Sequence, residues 1–324
     1  MMGQGIRNSV VTLVLLTIAA AARSEPPAPE ARRWPVEEHL NLSYFKSPAA
    51  TAEFYRVDVL VPEGGKDCPV VVLLHGGAWA VGDKSWGGHY TAVGRCLARH
   101  GIAVVLPNYR LAPAARFPAQ AEDAARAAAW TVKHIAEFGG SPKQIILCGH
   151  SAGGHLAALL ATDTSFLEHA GVKPECIRGV ICVSGVYRIP DINLGVALPW
   201  GGDTKPQPAA NGRAARVSMA WDLSVNPFRD VFGDDPRVLR AASPINHVHR
   251  GLPAFLLINA QYDFPFLPLM AQGFGSALRK AGDKVETMTI RDRNHESVMF
   301  DAITEQDPCM KAMLRFVRSR KKEL

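Results

Sequence analysis

The 324-residue chain has no C-x-x-C pair: none of its six cysteines, Cys68, Cys96, Cys148, Cys176, Cys182 and Cys309, stands three positions from another. That spacing excludes zinc ribbons and thioredoxin-like redox motifs, and it assigns no disulfide pairing. Blocks of like charge are also missing. Thirty-six basic and thirty acidic residues give a net charge of +6 spread along the sequence, so no nucleic-acid partner is expected. Glycine (28) and proline (23) fall well below collagen or linker levels. No apolar run reaches the roughly twenty residues that a membrane-spanning helix needs, and no internal repeat is visible. What is present is a globular composition, 48% apolar and 20% charged, sufficient for one large folded unit.

The first residues read differently from the rest. Arg7 precedes an apolar run from Val10 to Ala22, followed by small residues suited to cleavage near Ala22 or Ser24. This is the pattern of a signal peptide over residues 1–24, with a retained N-terminal anchor as the alternative. Export to the periplasm or medium is the expected route. Cleavage after Ser24 removes Arg7 and Arg23 and leaves a charge of +4. Residues 25–50, beginning Glu25-Pro26-Pro27-Ala28-Pro29, read as a proline-rich leader. The terminal Lys-Lys-Glu-Leu reads as a chance match to a retrieval signal.

Beyond the leader, residues 51–324 alternate strands with helices. Val70–Leu74, Ile102–Leu106, Ile145–Cys148, Val180–Val183 and Phe255–Ile258 are short continuous apolar runs, the mark of strands buried on both faces. Phe54–Val61 and Val285–Ile290 alternate more openly. Ala121, Ala125, Ala128, Val132, Ile135 and Phe138 recur at helical spacing and stop at Gly139-Gly140, where a left-handed cap is easy. The pattern predicts a doubly wound, mostly parallel α/β sheet. Residues 186–242 break the rhythm with clustered Pro, Gly and Trp and are expected to form an irregular cap insertion.

The chemistry centres on Gly149-His150-Ser151-Ala152-Gly153-Gly154, set between a buried strand and a helical run. A serine on so tight a strand-to-helix turn is lifted clear of the sheet and placed at a helix N-terminus. Its hydroxyl needs a base and an orienting acid. Asp263 and His295 each lie just past the end of a later strand, in the order serine, acid, histidine, where open α/β sheets place their ligands. His150 and His155 adjoin Ser151 but are expected to point away from its hydroxyl. His247, His249 and Asp283 precede strands and so fall at the wrong end. For the oxyanion, His75-Gly76-Gly77-Ala78-Trp79 closes a strand with two glycines whose N–H groups can turn inward. Gly76, Gly77 and Ala152 are the candidate donors. Gly77 to Ser85 superficially resembles a P-loop, but Asp83 interrupts the Gly-Lys pair and excludes it.

With those residues in place, the chain resembles α/β-hydrolases of the esterase/lipase group that carry an His-Gly-Gly motif. It is most similar to exported bacterial esterases related to feruloyl and acetyl-xylan esterases, and more distantly to arylformamidases and the hormone-sensitive-lipase group. The resemblance rests on His75 to Trp79 with Gly82-Asp83-Lys84, Asn108 to Pro113, Phe117 to Asp123, Gly149 to Gly154, Phe228 to Asp235, Ala242 to Ile245 and Asn294 to Ser297. It implies a carboxylic-ester hydrolase working through an acyl-enzyme, with no metal or organic cofactor. Ser151, Asp263 and His295 are the expected triad, and the leading expectation for the substrate, which the resemblance itself does not carry over, is small acyl esters such as acetyl or feruloyl groups on carbohydrate. Two departures stand out: Ala78 replaces the third glycine often seen in the motif, and residues 191–226 match nothing in the group. Two other readings of the same residues stay open, an amide hydrolase (arylformamidase-like or peptidase) and a hydrolase-fold binding module without catalysis.

Overall fold

A computed structural model describes residues 33–46, 49–190 and 227–321. The expected signal peptide, most of the expected cap (191–226) and the last three residues lie outside the described residues. Eight strands form one sheet: β1 (Val36–Ser43), β2 (Arg56–Pro62), β3 (Cys68–Leu74), β4 (Ala103–Pro107), β5 (Gly140–His150), β6 (Ile177–Val183), β7 (Ala254–Tyr262) and β8 (Val285–Asn294). Their order is β1-β2-β4-β3-β5-β6-β7-β8. Strands β4 to β8, with β3 among them, run parallel, while β2 pairs antiparallel with both β1 and β4. This is the mostly parallel α/β sheet that the apolar runs predict.

Alternate residues of each strand enter separate cores on the two faces. Val70, Val72 and Leu74 of β3 pack with Ala121, Ala125 and Ala128 of α2 (Ala119–His134) and with Leu156 and Leu159 of α3 (Ala152–Thr162). Val71 and Leu73 face the other way, onto Val93 and Leu97 of α1 (His89–Arg99) and Met310 and Met313 of α9 (Pro308–Lys321). Each such fully buried aliphatic side chain contributes roughly 1.5–3 kcal/mol through apolar area removed from water. The predicted stop of α2 is close to the observed one. The helix passes into a short 3-10 turn (Ile135–Phe138) that ends on Gly139 in the left-handed region, φ 80°.

Two expectations need correction. The leader reading of residues 25–50 ends too late, because Val36–Ser43 is β1, hydrogen-bonded along β2 with a shift in register between His39 and Leu42. Its charged, partly exposed residues suit a sheet edge, which is why the stretch lacks a buried-strand signature. The cap reading of 186–242 ends too late as well. Its C-terminal part folds into α5 (Pro227–Phe232) and α6 (Pro236–Ala241). Asp235 caps α6 by accepting from the Arg237 N–H. Each helix has only 6 residues, too few for a periodicity to show. Between α3 and β6 lies α4 (Ser165–His169), α7 (Phe266–Ala281) joins β7 to β8, and α8 (Ser297–Phe300) follows β8.

Candidate active site

Ser151 sits between β5 and α3 with φ 54° and ψ −116°, a backbone that a non-glycine residue adopts only when its surroundings enforce it. Here they do. Ser151 N–H donates to Val183 O at 2.9 Å and its carbonyl accepts from His155 N–H at 3.0 Å. A Cβ on Gly149 would lie 2.2 Å from Gly153, and one on Gly153 would lie 2.1 Å from the Leu74 carbonyl. The glycines at 149 and 153 therefore let β3, β5 and α3 approach closely enough to force the turn. Ala152 is the first residue of α3, so its N–H has no acceptor within the helix and adds to the positive end of the helix dipole.

Asp263 follows β7 and His295 follows β8, and the two meet: His295 Nδ1 donates to Asp263 Oδ1 at 2.7 Å. Asp263 Oδ2 accepts from the Ser184 hydroxyl at 2.5 Å and from Ala260 N–H at 3.2 Å, while Phe264 N–H donates to Oδ1 at 3.0 Å. Burial works to raise the carboxyl's pKa, but the hydrogen bond and charge of His295, with Ser184 and Ala260, outweigh it and hold the group below its ordinary range. The acid is thus an ion braced on both oxygens. It fixes Nδ1 as the protonated nitrogen of His295 and turns Nε2 outward, away from the carboxylate. Phe264 flanks the imidazole with ring centroids 4.6 Å apart.

The His75 to Trp79 turn supplies the third element. Gly77 has φ 111°, and a Cβ there would fall 2.0 Å from Val81 O, so the position admits only glycine. Gly76, expected as an oxyanion donor, is committed elsewhere: its N–H donates to the Tyr90 hydroxyl at 2.7 Å. That corrects the assignment, because a buried N–H already holding a short hydrogen bond is not free to meet a substrate oxygen. Gly77 and Ala152 remain as candidates. Lys84, the residue that gave the turn its P-loop look, forms an ion pair with Asp58 at 2.7 Å.

Residues 71–299 match the alpha/beta hydrolase fold family. The chain belongs to that family. Esterase LipQ of Mycobacterium tuberculosis is 31% identical to this α/β-hydrolase over 219 residues, covering 67% of this chain and 47% of that protein. The probable isoprenylcysteine alpha-carbonyl methylesterase ICMEL1 of Oryza sativa subsp. japonica is 40% identical over 261 residues, 78% of this chain and 56% of that protein. The chain therefore spans about half the length of the curated relatives it matches. Among solved structures, a truncated carbohydrate esterase from gut microbiota superposes with a TM-score of 0.69 at 20% identity, over 92% of this chain and 100% of that one. A hyperthermophilic esterase from Pyrobaculum calidifontis superposes with a TM-score of 0.64 at 26% identity, over 89% and 86%.

Several groups of this α/β-hydrolase that the sequence left unassigned also converge on the site. His150 Nε2 lies 2.8 Å from the His295 carbonyl and its Nδ1 lies 3.0 Å from the Tyr90 hydroxyl. On the other side of Ser151, Trp79 Nε1 donates to His155 Nδ1 at 3.1 Å, and His155 Nε2 donates to Ala242 O at 2.7 Å. Trp79 also packs edge-on against Phe232 of α5, so the His75 to Trp79 turn is tied to the helical C-terminal part of the expected cap. The one available signal was the pair of histidines flanking the serine. Their partners lie 60 to 145 residues away, beyond any local pattern.

Proposed function

We propose that the chain is a serine-dependent carboxylic-ester hydrolase acting through an acyl-enzyme on small acyl esters. The observation that carries this reading is the Asp263–His295 hydrogen bond at the same end of the sheet as a serine held on a strained strand-to-helix turn, the three residues following the C-terminal ends of the parallel strands β7, β8 and β5. Ser151 Oγ attacks the ester carbonyl carbon and passes its proton to His295 Nε2, while Nδ1–H stays on Asp263 and its negative charge stabilises the imidazolium. The negative oxygen of the tetrahedral intermediate receives N–H groups from Gly77 and Ala152 at the positive end of α3, each worth roughly 2.7–4 kcal/mol of barrier. Collapse expels the alcohol, which takes the proton from His295. Water then repeats the sequence in reverse and frees the acid.

For the substrate we propose acetyl or aromatic acyl groups on carbohydrate. The supports are the motif resemblance and the fold of the carbohydrate esterase. Residues 1–24 are proposed to direct export; cell fractionation with and without that segment tests this. Purified protein is expected to release p-nitrophenol from the acetate ester, and Ser151→Ala to lose that activity. Turnover by Ser151→Ala equal to wild type removes the serine from the mechanism. Matched ester, formamide and peptide substrates separate the ester reading from an amide hydrolase.

A further inference from the structure

Tyr90 and His150 form a hydrogen-bonded chain whose direction follows from the chemistry of its ends. The His295 carbonyl can only accept, so the nitrogen facing it, His150 Nε2, carries the proton. Gly76 N–H can only donate, so the Tyr90 oxygen accepts there and uses its own proton toward His150 Nδ1. The order is therefore Gly76 N–H to Tyr90 O–H to His150 Nδ1, then His150 Nε2–H to the carbonyl of residue 295. Burial, with the nearby His295, lowers His150 to about 3, which keeps the imidazole neutral and this arrangement single-valued. Phe300 covers the chain edge-on, with ring centroids 5.4 Å from Tyr90 and 5.8 Å from His150.

The chain begins in the oxyanion turn, passes through the residue beside the nucleophile, and ends on the backbone of the residue that carries the base. We propose that Tyr90 and His150 are positioning residues that hold these three parts of the site in mutual register. The inference rests on the proposed esterase function, and neither side chain touches the reacting atoms. A neutral chain satisfied at every atom is stiff, whereas removing one member leaves buried donors and acceptors without partners. Misplacement of a base or oxyanion donor by even about 1 Å costs on the order of 100-fold in rate.

The test uses the full chain with p-nitrophenyl acetate. Tyr90→Phe removes one hydroxyl and His150→Leu removes both imidazole bonds. Each is expected to lower kcat roughly 10- to 100-fold with KM within about threefold, because the loss falls on alignment rather than on binding. His150→Gln keeps an N–H for the His295 carbonyl and an oxygen for the Tyr90 hydroxyl, and is expected to recover most of the rate. In the double variant Tyr90→Phe/His150→Leu, the losses should not multiply, since both break one series connection. Thermal midpoints on the same samples identify any variant that does not fold. Should His150→Leu fail in this way, Tyr90→Phe and His150→Gln carry the test. A Tyr90→Phe kcat within twofold of wild type overturns the proposal, as does a glutamine variant as slow as the leucine one. Wild type that turns over, Ser151→Ala that does not, and unaffected Tyr90→Phe sink this inference alone. Wild type inert toward esters sinks the functional reading, and this inference with it.

Discussion

The two histidines either side of Ser151 are wired alike and serve different regions. His150 and His155 are both fully buried, both accept at Nδ1 and both donate from Nε2 to a backbone carbonyl. Burial depresses both, His150 to about 3 and His155 to about 4. The carbonyl at the far end distinguishes them. For His150 it belongs to His295, the candidate base; for His155 it belongs to Ala242, just past α6. A buried imidazole thus acts as a two-ended connector, and its bearing on rate is set by what the second end holds.

Ranking the histidines by substitution tests that contrast most strongly. His295→Ala is expected to lower kcat by about 10⁴ or more, as removal of a triad base does elsewhere. His155→Leu should change kcat less than about fivefold in the folded protein, well short of the loss expected for His150→Leu. Steady-state kinetics on the three proteins checks the order, and a His155 variant slower than the His150 one breaks the comparison.

Stability should show the reverse emphasis. His155→Leu strands the Trp79 indole N–H and the Ala242 carbonyl, each an orphan costing roughly 1–3 kcal/mol, which urea unfolding measures. The pH dependence follows from the same burial. Unfolded imidazoles take up a proton near 6.5, whereas the folded ones do so only at about 4 for His75 and His155 and about 3 for His150. Between those values the unfolded chain binds more protons, so acid favours unfolding. Stability should be highest above pH 6.5 and fall by about 1.4 kcal/mol per imidazole for each unit below it. His155→Leu should flatten that slope by about one imidazole's share. An unchanged slope would mean that His155 is not neutral in the fold.

The smallest expected effect concerns the brace on the acid. Ser184 stands at the end of β6 with φ 50° and donates to Asp263. Ser184→Ala should lower kcat by no more than about threefold, well short of the loss expected for His150→Leu, because the backbone N–H groups of Ala260 and Phe264 and the side chain of His295 still hold the carboxylate.

How much of this was readable beforehand depends on the range of the interaction. Buried parallel strands announce themselves as continuous apolar runs, and the elbow's glycines are fixed by contacts within a few residues, so β3 to β7 and the Ser151 turn were legible. Asp263 and His295 were legible as strand-end residues, and the structure brings them into contact. The commitment of Gly76 to Tyr90 was not, because it joins a turn to a helix by one hydroxyl whose target no periodicity encodes. Short elements failed for another reason: α5, α6 and the edge strand β1 bury too few residues to leave a pattern.

All six thiols are unbridged, and five of them are buried. Cys176 alone is partly open to solvent, and it immediately precedes β6, at the opposite end of that strand from Ser184. The length of a strand, on the order of 20 Å, separates it from the chemistry. It therefore offers a ready handle for attaching a fluorophore or spin label by thiol coupling, so that folding can be followed without engineering away any other cysteine.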